Sequence, residues 1–235
     1  MTDFDTKKLN KNWTIEDSIS TYGIDKWGEK YFSINSDGNI SISPNRKSKK
    51  KVDLFKLVKE FKSREINTPL IIRFNDILKD RITELNNAFC QAIETYNYKN
   101  IYQGVFPIKC NQQKNVLEKI IEYGDPWNFG LEVGSKSELL IGLSILENQK
   151  SLLICNGYKD KKYIESAILA RKLGKQPIIV IEQRDEVKRI IEAVKDLKAT
   201  PILGIRSKLS SKSSGRWGKS VGDNSKFGLS IPEIM

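Results

Sequence analysis

From Leu70 to Ile205 the sequence repeats one unit, a short apolar run followed by a segment with the spacing of an amphipathic helix. The runs are Leu70 to Phe74, Ile101 to Ile108, Phe129 to Val133, Leu152 to Cys155, Ile178 to Ile181 and Ile202 to Ile205. Helical period follows the first five, over Ile77 to Tyr96, Val116 to Tyr123, Leu139 to Leu146, Tyr163 to Leu173 and Val187 to Leu197. The last five runs begin about 25 residues apart, the length of successive strand and helix units joined by short loops. Apolar runs with little alternation predict a parallel sheet covered by helices, so the fold class is α/β.

Two architectures satisfy this pattern, a doubly wound open sheet and a (β/α)₈ barrel. The six runs complete an open sheet and leave a barrel short of its eight strands, so the count by itself favours the open sheet. The end of the chain points the other way. Ser230-Ile231-Pro232-Glu233 is a capping box with proline in the first turn, the mark of a helix just beginning, and the sequence stops at Met235. The expectation is an N-terminal piece of a longer protein, its barrel incomplete.

Ahead of the repeat, residues 1–28 are polar with scattered aromatics and read as a short helical or irregular arm. Tyr31 to Ile34 and Ile40 to Ile42 alternate about Asp37-Gly38, a hairpin signal. Pro44 and the run Arg46-Lys47-Ser48-Lys49-Lys50-Lys51 read as a linker. The predicted division is 1–52 for the arm and hairpin and 53–235 for the barrel domain.

Composition excludes several classes. No apolar run approaches the roughly 20 residues of a membrane helix. The first residues carry acids where a secretory signal needs bases, and no apolar core follows. Three scattered cysteines fit a reducing cytoplasm better than a disulfide framework, and Cys110 and Cys155 read as small core residues. With no histidine in the chain, a Ser-His-Asp triad, a Cys-His dyad and histidine metal ligation are excluded within it. The formal charge of +11 suits phosphates or acidic surfaces. Its basic residues gather in the lysine run and between Arg206 and Lys226 beside Trp217, without the interleaved aromatics of a nucleic-acid platform, so nucleic acid is an unfavoured partner.

In parallel α/β folds the chemistry sits at the carboxyl ends of the strands. Those positions hold Lys109, Glu132, Asn156-Gly157, Glu182 and Arg206. Lys109 follows an apolar strand and precedes Asn111, a candidate N-cap, which would project its amine into the mouth of the fold. Partial desolvation there, or a cationic neighbour, favours the neutral amine that attacks a carbonyl carbon. The plainer reading is a surface or ion-paired lysine. Glu138, fourth in Ser135-x-x-Glu138, reads as a capping-box member. Arg206 reads equally as an ion-pair partner of Glu132 or Glu182.

The segment Tyr102-Gln103-Gly104-Val105-Phe106-Pro107-Ile108-Lys109-Cys110-Asn111-Gln112-Gln113 resembles the cofactor-lysine segment of the biosynthetic arginine decarboxylases. These belong to the barrel class of pyridoxal-phosphate decarboxylases, whose fold is alanine racemase-like. Gly130 to Leu139, Ile154 to Asp160, and Leu209 to Lys212 through Trp217 to Ser230 resemble the same family, as do Trp27-Gly28 and the hairpin. The resemblance implies decarboxylation of L-arginine to agmatine in polyamine (spermidine) synthesis, with Lys109 carrying pyridoxal 5'-phosphate. It implies that Glu132 and Arg206 lie near the cofactor, that Glu138 supports the site, and that the hairpin belongs to a second, β domain. It further implies a magnesium requirement and a dimer-based homo-oligomer. The family's ring-stacking histidine, phosphate loop, pyridine-nitrogen carboxylate, and cysteine and aspartate from across a dimer interface have no counterpart in these residues, so the chain by itself is expected to be inactive. A different amino-acid decarboxylase, or a non-catalytic cofactor carrier, would share the same lysine.

Overall fold

The computed structural model describes residues 13–46, 51–208, 225 and 227–235. The chain divides into two compact units, one up to Asp80 and one from Arg81 onward.

In the first unit, α1 (Ile15–Tyr22) starts at Thr14, whose hydroxyl accepts the Asp17 amide while the Asp17 carboxylate accepts the Thr14 amide, a complete capping box. It ends at Gly23, whose positive φ of 58° suits a residue without a Cβ, and α2 (Ile24–Trp27) follows. The hairpin forms as expected from β1 (Phe32–Ile34) and β2 (Ile40–Ile42), antiparallel with Phe32 opposite Ile42. Its turn is set by Asn35, whose side-chain oxygen accepts the amides of Asp37 and Asn39. The boundary expected after residue 52 falls inside this sheet. β3 (Val52–Asp53) pairs antiparallel with β2, and Asp53 both ends the strand and caps α3 (Leu54–Ser63).

Leu70 to Phe74 forms no strand, contrary to expectation. A strand needs a ladder partner, this segment has none among the described residues, and Ile71 is 79% exposed. It leads directly into α4 (Asn75–Thr95).

The remaining five runs form strands, each followed by a helix or turn: β4 (Val105–Pro107), α5 (Lys114–Gly124), β5 (Gly130–Val133), α6 (Lys136–Ile145), β6 (Leu152–Cys155), α7 (Lys161–Lys172), β7 (Gln176–Ile181), α8 (Arg184–Leu197), β8 (Ile202–Ile205) and α9 (Ile231–Ile234). The sheet is parallel throughout, in the order β4-β5-β6-β7-β8. Pro107, Glu132, Ile154, Ile178 and Ile202 share one register level.

Helices cover one face of this sheet. Leu131, Val133, Leu153, Cys155, Ile179 and Ile181 are buried in a single core with Leu117 and Ile121 of α5, Leu139 of α6, Ile164 and Ile168 of α7, and Ile190 and Ala193 of α8. Each fully buried Leu or Ile there contributes about 1.5–3 kcal/mol. The opposite face, with Val105, Pro107, Glu132, Leu152, Ile154, Ile178, Val180 and Ile202, is half-buried. Strands apolar on both sides correctly signalled a parallel sheet, but only one side carries helices among the described residues. Sequential strand order with helices on one face is single winding, the winding of barrels; a doubly wound sheet reverses its order and carries helices on both faces.

Candidate active site at the carboxyl ends of the strands

Lys109 sits in a single 3₁₀ turn, Ile108 to Cys110, that follows β4. Ile108 is fully buried and pins the turn to the core, while Lys109 is exposed. Among the described residues its amine makes no hydrogen bond or ion pair, and its exposure is also that of the plainer reading, a surface lysine. The expected N-cap at Asn111 falls instead at Gln113, with the Asn111 side-chain oxygen accepting the Gln113 amide.

Glu132, on β5, accepts a hydrogen bond of 3.1 Å from the side-chain amide of Asn156, just past β6. Asn156 is itself fixed. Its backbone amide donates to the Val133 carbonyl, and its own carbonyl accepts from the Tyr163 hydroxyl, which also lies 2.9 Å from the Val133 carbonyl. Burial drives the Tyr163 phenol well above its ordinary range, so it stays a protonated donor. Burial likewise pushes the Cys155 thiol up to about 12, making it the inert core residue expected, whereas Cys110 is exposed.

Glu138 is buried at the third position of α6. The Ser135 hydroxyl accepts the Glu138 amide, as in a capping box, but the Glu138 carboxylate reaches one residue further back, to the Gly134 amide at 2.7 Å. Its other oxygen accepts from the Gln112 side chain at 3.0 Å. Glu138 thereby links the turn after β5 to the segment that follows Lys109.

Arg206, after β8, pairs with Glu182 and not with Glu132, its guanidinium donating to Oε1 at 2.6 Å. The two partners differ in burial, the Glu182 side chain being 1% and the Arg206 side chain 51% exposed. Glu182 Oε2 is buried and has no hydrogen-bond partner among the described residues. The Arg206 side chain thus stays partly exposed beside its buried partner, with its guanidinium carbon 5.9 Å from the centre of the Phe227 ring.

The sequence reading did not single out Lys159 and Glu186, an ion pair of 3.2 Å with both side chains fully buried. Gln183-x-x-Glu186 repeats the spacing of Ser135-x-x-Glu138, but glutamine is not a favoured N-cap and Gln183 makes no side-chain cap, so the sequence carried no clear signal for the pair. Of the basic residues noted for nucleic acid, Lys47, Lys49, Lys50, Lys212, Arg216, Lys219 and Lys226 lie outside the described residues, as does Trp217.

Among the described residues, an exposed primary amine without a partner follows β4, a carboxylate sits on the adjacent β5, and a partly exposed guanidinium follows β8 at the other edge of the sheet, a set of groups that suits an anionic aldehyde cofactor. Residues 81–234 match the family model for the pyridoxal-binding domain of pyridoxal-dependent decarboxylases, and the chain belongs to that family. Among its relatives, a biosynthetic arginine decarboxylase of Prochlorococcus marinus subsp. pastoris is 94% identical over all 235 residues, and one of Parasynechococcus marenigrum is 58% identical over 226. The crystal structure of the biosynthetic arginine decarboxylase from Campylobacter jejuni superposes with a TM-score of 0.77 at 30% identity, covering 91% of this chain and 33% of that one. The chain spans 36% of the length of the Prochlorococcus relative.

Proposed function

We propose that this chain supplies the lysine side of the cofactor site in an enzyme that decarboxylates L-arginine to agmatine. The observation that carries the reading is the exposed Lys109 amine after β4, without a partner among the described residues, on a sheet whose other strand ends carry Glu132, held by Asn156, and Arg206, held by the buried Glu182. The five parallel strands are then part of a (β/α)₈ barrel, the half-buried face becomes its interior, and the hairpin sheet belongs to a second domain. Homo-oligomerisation and a cytoplasmic location are further parts of this proposal. Among the described residues no helix is long and apolar enough to cross a membrane.

Lys109, Glu132 and Arg206 would hold pyridoxal phosphate, with Glu138 bracing the turn behind them. When bound, that group supplies an electron sink for the carbon left as carbon dioxide departs. The protein's part is positional. Lys109 offers the amine that tethers the cofactor, Arg206 offers positive charge, and the apolar interior face keeps water from the reacting carbon. Magnesium, implied by the resemblance, finds no cluster of three or more carboxylate or thiolate ligands among the described residues.

Borohydride reduction of the full-length protein, followed by peptide mass mapping, should place the cofactor on Lys109, and Lys109→Ala should lose both that adduct and agmatine release from labelled arginine. A reduced adduct on another lysine would remove the site assignment. Release of carbon dioxide from ornithine, lysine or diaminopimelate in preference to arginine would replace the substrate.

A further inference from the structure

We propose that the buried Lys159–Glu186 pair is a positioning device for Arg206, acting through Glu182. The inference rests on the reading above in taking Arg206 to face the cofactor. Glu186 is the node. Its Oε1 accepts the Lys159 backbone amide and the Lys159 ammonium, each at 3.2 Å, and its Oε2 accepts the ammonium at 3.3 Å and the Glu182 backbone amide at 2.9 Å. The ammonium also donates to the Gly157 carbonyl at 2.6 Å. One carboxylate thus ties the loop after β6 to the carboxyl end of β7.

Glu182 is held on two further sides. Its carbonyl accepts the Gly228 amide at 3.1 Å, and its carboxylate receives Arg206. Fixing the Glu182 amide therefore fixes where its side chain meets the guanidinium. Stability alone is a poor account of the pair, because an apolar pair of similar volume is often as stable as a buried ion pair. What an apolar pair cannot supply is an acceptor for the Glu182 amide.

The test uses the full-length holoenzyme carrying Lys159→Met with Glu186→Met, which removes both charges and roughly keeps their volume. The expected result is retained cofactor, kcat/KM for arginine lowered about 10- to 100-fold, and a crystal structure in which the Arg206 guanidinium has moved by about 1 Å. In an Arg206→Ala background the same double substitution should lower activity less than about twofold further, because both changes act through one group. Losses that multiply across the two backgrounds, or an Arg206 that stays in place, would overturn the proposal. If the double variant yields no holoenzyme, Lys159→Met with Glu186→Gln, which keeps an acceptor for the Glu182 amide, should leave Arg206 in place and kcat/KM within about twofold of wild type, and a displaced Arg206 in that variant would overturn the proposal. A wild-type enzyme that makes no agmatine would sink the arginine reading, while the position of Arg206 in the variant would still decide this one.

Discussion

Gly157→Ala should destabilise the strand-end region well beyond the ordinary cost of replacing a glycine. Gly157 has φ +79°, and a Cβ built there lies 2.2 Å from the Gly134 carbonyl oxygen and 2.9 Å from its carbonyl carbon. The left-handed conformation costs an L-residue about 1–2 kcal/mol. The overlap is with backbone, so relief requires the loop after β6 or the end of β5 to shift by roughly 1 Å, at about 1–3 kcal/mol. The sum is about 2–5 kcal/mol. Gly174 in the same compact unit supplies the control. It has φ +84°, but its nearest neighbour is the flexible Gln149 side chain at 3.4 Å, so Gly174→Ala should carry the conformational cost alone, about 1–2 kcal/mol. Hydrogen exchange by mass spectrometry, on peptides from β6 and α7, reads the opening free energy directly. The difference between the variants should be about 1–3 kcal/mol, a five- to 150-fold change in the opening constant. Equal destabilisation by the two alanines would refute the claim that the approach to Gly134, rather than the φ angle, requires glycine at 157.

Three further outcomes can be checked with little effort. Alkylation of the native protein near pH 8 should modify the exposed Cys90 and Cys110 and spare Cys155 until unfolding, and equal labelling rates in peptide maps would contradict the burial that lifts its thiol to about 12. Asp53 is held at about 2, first by the Lys56 backbone amide and then by the Asn39 and Asn35 side chains. An unfolded aspartate titrates near 3.9, so this stabilisation of the hairpin sheet should be complete above about pH 4 and fade as pH falls towards 2. Asp53→Asn should flatten that acid limb in a pH series of unfolding curves, and an unchanged limb would count against the assignment. Tyr163→Phe removes the hydroxyl donor shared by the Val133 and Asn156 carbonyls, of which Val133 keeps the Asn156 amide, and should cost about 0.5–1.5 kcal/mol of stability by denaturant midpoint, with a cost near zero arguing that neither contact matters.

The sequence legibly carried the alternation of strand and helix, and the two strands Leu152–Cys155 and Ile202–Ile205 fall where the apolar runs placed them. Leu70 to Phe74 failed because an apolar run marks a segment able to pair, not one that has a partner. The one-sided covering of the sheet was hidden for a related reason. Ile154 and Ile178 are as apolar as Leu153 and Ile179, and only the three-dimensional arrangement shows which pair meets helices. At the candidate site, the place of Lys109 just after a strand was legible, and the structure puts it in the turn that follows β4. The partner of Arg206 was not, since Glu132 and Glu182 both end strands and register alone selects between them. Lys159 and Glu186 were missed because a charged pair 27 residues apart looks like solvated surface until the fold buries it.

A common device runs through the three βα turns that follow β5, β6 and β7. The third residue of α6, Glu138, returns to the Gly134 amide; the third residue of α8, Glu186, returns to the Glu182 amide; and the third residue of α7, Tyr163, returns to the Val133 and Asn156 carbonyls. In each turn a helix reaches back past its own N-cap and grips the strand end before it. The grip comes from the helix-covered side, where burial strengthens every such contact. The turn after β4 is built differently, since the third residue of α5 is Val116, which has no polar group to reach back with, and Lys109 is left exposed ahead of it. Glu132 and Arg206 are thus carried by, or bonded to, strand ends fixed from behind, while the group that must exchange partners in the proposed chemistry, the Lys109 amine, has no partner among the described residues.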